Sequence, residues 1–425
     1  MSRSAFATFV LLLQGAPLFA GEPLTLADAV RLALGHSAEV AVAVASEGEQ
    51  RAALRAARDL SRPEAVIGTT PGWASGLPPG QLPSVAGLAL RQSLYDPDRR
   101  AGALEEEARW ATARGGVTKA REQAAHRVAV LYVRCLTGEK VAAAARLRET
   151  MLGQAARHAE ALAAEGRLTE LDVDRAGLAE ARARQARLAA ESDSDLDGLE
   201  LRRLLGLPGS EPLVLAEEPL DPPKAPDIPD LDRALASDPE LLALGEASRS
   251  LTGVLKVREH LVAPTVAAEA RYDRVYRTSD YQSYYQAFRP DQWSVGLSIT
   301  IPLFSAGRME AAEARARAAV DRVGAERRAR VLEIELAVHR AEEAVGLAAA
   351  RRSLEYRAMD VAREEARVAR ALSEEGKLGI IEADSRDAAL ADAEEAAARA
   401  ESALLLARLD LLALRGDLAA ALVAT

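Results

Sequence analysis

Apolar residues recur at helical spacing along most of this chain, with steps of three and four residues that are clearest at 128–135 and 405–412. Two long runs, 97–165 and 307–375, contain no strong helix breaker, although Gly115-Gly116 is a weak point. At 1.5 Å per residue we predict helices of about 100 Å. Helices of that length need neighbours along their whole length, which predicts coiled-coil packing.

Strand spacing is clearest near residue 300, where apolar residues alternate with Ser, Gly and Thr. The apolar positions are Trp293, Val295, Leu297, Ile299 and Ile301. About ten residues is the length of a tilted strand that crosses a membrane. We predict two β-hairpins, over about 65–94 and 265–303, and a lipid-facing side for the strand that ends at residue 301.

A soluble sandwich would produce the same alternation, so the flanking residues matter. Aromatic side chains are concentrated beside the strand, as in the girdle at a membrane surface. Besides Trp293, they are Tyr272, Tyr276, Tyr281, Tyr284, Tyr285 and Phe288. The N-terminus also favours a membrane location, because Arg3 precedes an apolar stretch and Ala20 provides a small residue for cleavage.

We therefore predict a signal peptide over 1–20, with an ordinary N-terminal helix as the alternative. No other segment reaches about 18 uncharged apolar residues. The mature chain is expected to be exported, either as a soluble protein or as a membrane protein of the β type. Four strands cannot close a barrel alone, and an open strand edge is not tolerated in lipid, so a membrane location requires several subunits.

The chain repeats one plan twice, over 21–208 and 229–418. Each copy contains a first helix, a hairpin, a long helix, a tip and a returning helix. The tips are predicted at 166–169 and 376–379, and the returning helices at 170–205 and 380–415. Four pairs of segments match in the same order: Ala33–Val40 with Ala234–Leu241, Leu94–Asp96 with Leu303–Ser305, Glu165–Leu168 with Glu375–Leu378, and Leu204–Gly206 with Leu414–Gly416.

A proline-rich segment, 209–228, separates the copies and is predicted to be a linker, because its prolines prevent a continuous helix. Residues 419–425 form a C-terminal tail.

Composition narrows the function classes. The net charge is −10 with both signs interspersed, so no basic stripe is available for nucleic acid. The one cysteine, Cys135, lies on an apolar helix face and is predicted to be a packed thiol. The five histidines are scattered without the spacing of metal ligands. Hydrolase and nucleotide-binding motifs are absent, so we expect neither an enzyme nor a cofactor.

The chain resembles the TolC-type outer membrane factor family, the outer membrane efflux proteins, over essentially its whole mature length. The resemblance rests on the repeat plan, on the strand exits 92–96 and 301–304, on Gly307-Arg308 and on the tip glycines Gly166 and Gly376. It implies a mainly α fold with a small β part. A long helical coiled-coil barrel would carry four transmembrane strands per subunit, and a homotrimer would complete a twelve-stranded barrel.

The resemblance also implies a place in the cell and a set of partners. The protein would lie in the outer membrane with a long periplasmic extension. Its tips would meet a periplasmic adaptor, or membrane fusion protein, which couples it to an inner-membrane RND or ABC pump.

Family members place acids six residues after each tip glycine, which here are Asp172 and Glu382. Some members have a further acid where this chain has Ser385, beside Asp384, and an arginine where it has Leu378. Asp172, Glu382 and Asp384 are therefore candidate entrance residues, although acids at a helix start also stabilise the helix dipole. Candidate adaptor contacts, which include ordinary turn glycines, are Gly166, Arg167, Leu168, Gly376, Lys377, Leu378 and Gly379.

The expected function is a passive exit duct of a tripartite efflux or type I secretion system. Its cargo, whether drug, metal or protein, is left open by the sequence. The alternative is an exported periplasmic coiled-coil scaffold without channel activity.

Overall fold

The structure is a computed structural model. It describes residues 23–59, 62–70, 84–208, 213–216, 230–259, 264–276, 291–301, 306–416 and 418. The predicted signal peptide, most of the linker, the C-terminal tail, and the aromatic residues Tyr281, Tyr284, Tyr285 and Phe288 lie outside the described residues.

Within the described residues, each copy contributes four helices and two strands in the same order. The helices are α1 (Leu26–His36), α2 (Ala38–Asp59), α3 (Pro97–Ala164), α4 (Glu170–Leu205), α5 (Asp230–Ser237), α6 (Pro239–Arg258), α7 (Ala306–Glu374) and α8 (Ile380–Leu414). The strands are β1 (Glu64–Thr70), β2 (Ser84–Tyr95), β3 (Thr265–Tyr276) and β4 (Asp291–Thr300). The predicted fold class, mainly α with a small β part, is confirmed.

Short polar side chains set the starts of the helices. Asp96 accepts hydrogen bonds from the first amides of α3, and Pro97 occupies the first helical position, where no amide hydrogen is needed. Asp238 accepts from Leu241 N at 2.6 Å and divides α5 from α6. In the first copy Ser37 divides α1 from α2 in the same way, and its hydroxyl accepts from Val40 N at 3.3 Å.

The four strands form one antiparallel sheet in the order β1-β2-β3-β4. The register places Leu88, Tyr272 and Trp293 side by side on one face. The other face carries Arg91 opposite Glu269, whose side chains form an ion pair of 3.2 Å. The separation is complete in β4, where Trp293, Val295, Leu297 and Ile299 lie on one face and Ser294, Gly296 and Ser298 on the other.

The long helices lie side by side in the order α4-α3-α8-α7, with α3 and α8 in the interior. The edge helices expose large apolar side chains. On α4 these include Leu188, Leu196 and Leu199, and on α7 they include Leu347, Leu354, Val361 and Val368. The four side chains on α7 recur every seven residues, which is the spacing of a seam that packs on a partner helix in a coiled coil.

The main core lies in the middle of the long helices, around Tyr132, which is 1% exposed. The Tyr132 hydroxyl lies 2.8 Å from Leu24 O and 2.9 Å from Ala216 O. Leu24 also pairs with Leu215 through a parallel β-bridge. This core therefore ties the start of the first copy and the first half of the linker to α3.

No single described helix is both long enough and apolar enough to span a bilayer, although α1 and α2, bent by 50° at their junction, meet that test together.

The helix α3 continues without a break through Gly115-Gly116, where the sequence predicts a weak point. Gly115 also has a role in packing. A Cβ at Gly115 would lie 2.8 Å from Pro239 O and 2.5 Å from the Ala243 Cβ, so the glycine lets α6 approach α3 closely. A Cβ at Gly116 would meet nothing within 4 Å. There is therefore room for a side chain at Gly116 but not at Gly115.

Gly115→Ala is expected to destabilise the protein by about 1–3 kcal/mol, because α6 must move away. Gly116→Ala should be neutral or stabilise by up to about 1 kcal/mol, because alanine has the higher helix propensity. Thermal unfolding of both variants in detergent measures the difference, and equal midpoints would show that α6 does not pack as closely as described.

Candidate functional site

Both helical hairpins end in the same kind of turn. Gly166 and Gly376 have φ values of 73° and 69°, in the left-handed region that favours glycine. Behind each glycine a backbone amide reaches back over the turn. Arg167 N donates to Leu162 O at 2.9 Å, and Lys377 N donates to Leu372 O at 2.8 Å. The glycines therefore stop α3 and α7 and reverse the chain.

The first tip contains a capping box that engages Asp172. Asp172 N donates to Thr169 Oγ1 at 3.3 Å, and Thr169 donates to the Asp172 carboxylate through its hydroxyl at 2.7 Å and its amide at 3.3 Å. These bonds from Thr169, with a smaller contribution from Arg175, lower the pKa of Asp172. Asp172 is therefore a negative charge fixed at the start of α4.

The second tip differs because its N-cap is Gly379, which has no side chain to bond the helix start. The Glu382 side chain is 57% exposed, and its nearest charged partner is Arg386 at 3.8 Å. Leu378, Glu382 and Arg386 line an open groove of about 490 Å³ together with apolar side chains of α7. Glu382 therefore has no capping-box partner like the one that holds Asp172 in the first copy.

Asp384 lies in a third environment. Its side chain is 12% exposed and points at α3, where its carboxylate lies 2.6 Å from His158 Nδ1. Sequence reasoning missed His158. The sequence did contain a signal for it. His126, Thr137 and Arg148 precede His158 at steps of ten or eleven residues, which place all four side chains on one face of α3.

The apolar face of the sheet is exposed. Along β4 and its exit, the exposed fractions are 80% for Trp293, 76% for Val295, 59% for Leu297, 59% for Ile299 and 51% for Ile301. The opposite face carries polar and small residues, including an ion pair of 2.6 Å between Arg271 and Asp273. One face thus suits lipid and the other suits water.

The described residues contain no group of three or more His, Cys, Asp and Glu side chains that could hold a metal ion. Cys135 is buried. Burial, followed by the charge of Asp197, raises the pKa of its thiol to about 12. The thiol is therefore protonated at neutral pH, as a packed side chain would be and a nucleophile would not.

Comparison with known proteins identifies the class of this architecture. Residues 231–417, the second copy, match the family model for outer membrane efflux proteins. No protein of curated function matches the chain in sequence.

Solved structures share the fold across almost the whole chain. The outer-membrane channel OprN aligns with a TM-score of 0.74 at 20% identity, covering 92% of this chain and 89% of its own. The outer membrane protein VceC from Vibrio cholerae aligns with a TM-score of 0.76 at 17% identity, covering 92% and 96%. The Campylobacter jejuni CmeC outer membrane channel aligns with a TM-score of 0.76 at 13% identity, covering 92% and 85%.

These matches confirm the resemblance to the outer membrane efflux protein family that the sequence predicted. The family is one of outer-membrane proteins, in agreement with the predicted location. The similar proteins are channels and not enzymes, also as predicted.

The two tips should respond differently to loss of their acids. Asp172→Ala removes a capping-box partner and should speed amide exchange in the first turn of α4 about fivefold at neutral pH. Glu382→Ala, at the matching position of α8, should change exchange much less, because Gly379 offers it no hydroxyl. Hydrogen exchange with mass spectrometry resolves both turns.

The effect of Asp172 should also depend on pH. Because its pKa is lowered in the folded state, its stabilisation is present above the ordinary carboxyl pKa and is lost as the pH falls through the lowered value. After correction for intrinsic exchange rates, wild type and Asp172→Ala should converge in strong acid. A difference that persists there would mean that the carboxylate is not the stabilising group.

Proposed function

We propose that the chain is the outer-membrane exit duct of a tripartite efflux or type I secretion system and that it conducts its substrates passively. The observation that carries this proposal is the β4 face, a row of five exposed apolar side chains on a sheet whose other face is polar. Such a row is costly in water and favourable in lipid. A match of the second copy to the efflux family supports the same conclusion.

The open edges of the sheet argue for assembly. Among the described residues, β1 pairs only with β2, and β4 pairs only with β3. Unpaired backbone groups are not tolerated in the hydrocarbon core, so another copy must supply a strand to each edge. Because the number of strands is even, β4 of one copy and β1 of the next run in opposite directions and can pair as antiparallel strands. Three copies complete twelve strands, which lies within the range of membrane barrels.

The helices require the same assembly. The edge helices α4 and α7 both expose apolar side chains, so α7 of one subunit can pack on α4 of the next. Both the sheet and the helical layer then close with one symmetry. In such a homotrimer, the polar face of the sheet lines a lumen that continues between the helices.

The length of the helices supports a periplasmic extension. With 69 residues, α7 is about 104 Å long at 1.5 Å per residue. Its tip lies at the far end from the membrane, within reach of a periplasmic adaptor. Leu168 and Leu378 are half-buried beside exposed Arg167 and Lys377, which gives each tip one apolar and one basic contact for that adaptor. The adjoining glycines Gly166, Gly376 and Gly379 keep these tips narrow.

We assign the energy of transport to an inner-membrane RND or ABC pump, because the sequence contains no nucleotide-binding motif. Of the acids near the tips, Asp172 and Glu382 are the better candidates for the entrance of the duct. Asp384 is engaged by His158 inside its own subunit. The alternative, a periplasmic scaffold, leaves the apolar face of β4 without a role.

An arginine on the lipid-facing side should prevent assembly. Val295→Arg places a charge in the apolar row and should cost about 2–4 kcal/mol if that residue lies near the middle of the bilayer. Gly296→Arg is the matched control. Its side chain enters open space on the opposite face beside Glu269. Folded trimer in the outer membrane, measured by its resistance to detergent on gels, should fall for Val295→Arg alone. An equal loss of folded trimer in both variants would contradict the assignment of one side of β4 to lipid and the other to water.

The duct and the scaffold make opposite predictions in cells. The duct should fractionate with outer membranes and need detergent for extraction. Deleting its gene should increase intracellular accumulation of at least one exported drug, metal ion or polypeptide severalfold, and the wild-type gene should restore export. A mature protein that stays soluble and monomeric after cell breakage, in a strain with unchanged export, would favour the scaffold.

A further inference from the structure

A ladder of four polar pairs joins α3 of the first copy to α8 of the second. We define the α3–α8 ladder by these pairs: His126 Nε2 to Asp410 Oδ1 at 2.7 Å, Thr137 Oγ1 to Ser402 Oγ at 3.1 Å, Arg148 Nη1 to Asp392 Oδ1 at 2.8 Å, and His158 Nδ1 to Asp384 Oδ2 at 2.6 Å. Two of its four rungs are histidine–aspartate pairs, one at each end.

The ladder follows the helix geometry. Its members on α3 are eleven, eleven and ten residues apart, and eleven residues complete three helical turns, so they form one stripe. Their partners on α8 occur in reverse order, because the two helices are antiparallel neighbours. The ladder is therefore a continuous feature of this interface.

The half of the ladder nearer the tips is partly dehydrated. Asp384 is 9% exposed, and burial raises the pKa of Asp392 against the opposing effect of Arg148. The residues one turn from His158 on α3 are uncharged, namely Gln154, Ala155, Ala161 and Leu162. Solvent therefore screens the His158–Asp384 pair less than it would screen a pair on an open surface, whereas the Asp410 side chain of the His126 rung is 56% exposed.

Other charged groups also lie around His158, and Arg157 and Glu160 are the nearest in sequence on its own helix. On α8, Asp387 binds Arg370 of α7 at 2.8 Å, and Glu382 lies 3.8 Å from Arg386. The start of α4 carries Asp172, held by Thr169, together with Asp174 and Arg175, while Glu180 lies near Gly153 of α3. Asp384 is consequently the carboxylate that a charge on His158 would meet first.

The His126 rung has more charged neighbours. On its own helix they are Glu122 and Arg127, and Arg127 binds Glu39 of α2 at 2.9 Å. On α8 the neighbour is Arg408, two residues before Asp410, and the end of α4 carries Arg202 and Arg203. This rung is the less isolated of the two, so His158–Asp384 provides the cleaner test.

The position of the ladder gives it a mechanical consequence. The α3–α4 hairpin and the α7–α8 hairpin contact each other through α3 and α8. Any widening of the tip end that moves one hairpin away from the other must separate α3 from α8 there. His158–Asp384 is the rung nearest the tips and would break first.

We propose that the α3–α8 ladder is a pH-dependent latch, in which protonation of His158 and His126 holds the two hairpins of a subunit together. Imidazole ordinarily gains its proton near pH 6.5, whereas aspartate stays ionised well below that. In acid each end rung is an ion pair with a charged hydrogen bond, and at alkaline pH it is a weaker hydrogen bond from neutral imidazole to the carboxylate. The latch is therefore tighter when these histidines are protonated than when they are neutral.

A double-mutant cycle tests the latch without requiring transport. His158→Gln, Asp384→Asn and the double variant are compared with wild type by thermal unfolding of the full chain in detergent, at about pH 5.5 and pH 8. We expect a coupling of roughly 2–4 °C in the unfolding midpoint at the lower pH and a clearly smaller coupling at the higher pH, where only the hydrogen bond remains.

Thr137→Ala and Ser402→Ala form the control cycle, because that rung of the same ladder does not titrate. Its coupling should be the same at both pH values. Coupling between His158 and Asp384 that is absent, or equal at the two pH values, would overturn the latch. A merely structural role of either residue would lower the midpoint without making the coupling depend on pH.

The consequence for gating rests on the proposed duct, and a second measurement keeps the two claims apart. In planar bilayers, wild-type conductance should rise severalfold from about pH 5.5 to pH 8. His158→Gln should conduct at the higher level throughout. Channels without this pH response would overturn the latch and leave the duct standing. A pH-dependent coupling in a protein that forms no channel would support the latch and contradict the duct.

Discussion

The free-energy cost of an unpaired β-strand edge in lipid is the constraint on which the rest of this account depends. Its sheet has four strands, an apolar face and two open edges, β1 and β4. A soluble sheet can leave an edge in water, but in hydrocarbon each unpaired backbone group costs several kcal/mol. In the proposed duct, the chain is consequently incomplete by itself. The even strand number, the exposed α4 and α7 faces, and the side-by-side order of the long helices are all compatible with the same closed ring of copies.

Small residues allow the close helix packing that the proposed ring needs. The buried face of α3 is largely alanine, and Gly115 brings α6 close enough that a methyl group would not fit. Such packing holds helices near one another over a length of about 100 Å, at 1.5 Å per residue, with few large side chains. The low aromatic content of the composition thus fits a thin wall of helices, and Tyr132 lies where this wall thickens into the main core.

Much of the fold follows from periodicity, because helix and strand spacings are local. The alternation around Trp293, the uninterrupted runs of α3 and α7, and the glycine turns at Gly166 and Gly376 can all be recognised without tertiary information. Tertiary contacts decide the rest. No local pattern shows that Gly115 is a contact point instead of a break. Nor does one show that Asp384 turns towards α3, while Asp387, three residues later, turns towards α7. Which face of α8 meets α3 depends on the packing of both copies.

The central claim is that identical copies close one barrel edge to edge. Electron cryomicroscopy of the protein extracted from outer membranes in mild detergent tests it most directly. We predict a threefold ring in which β4 of each subunit is hydrogen-bonded to β1 of its neighbour and α7 packs on α4 of the same neighbour. A particle in which both sheet edges remain unpaired, or in which one copy closes on itself, would contradict the claim.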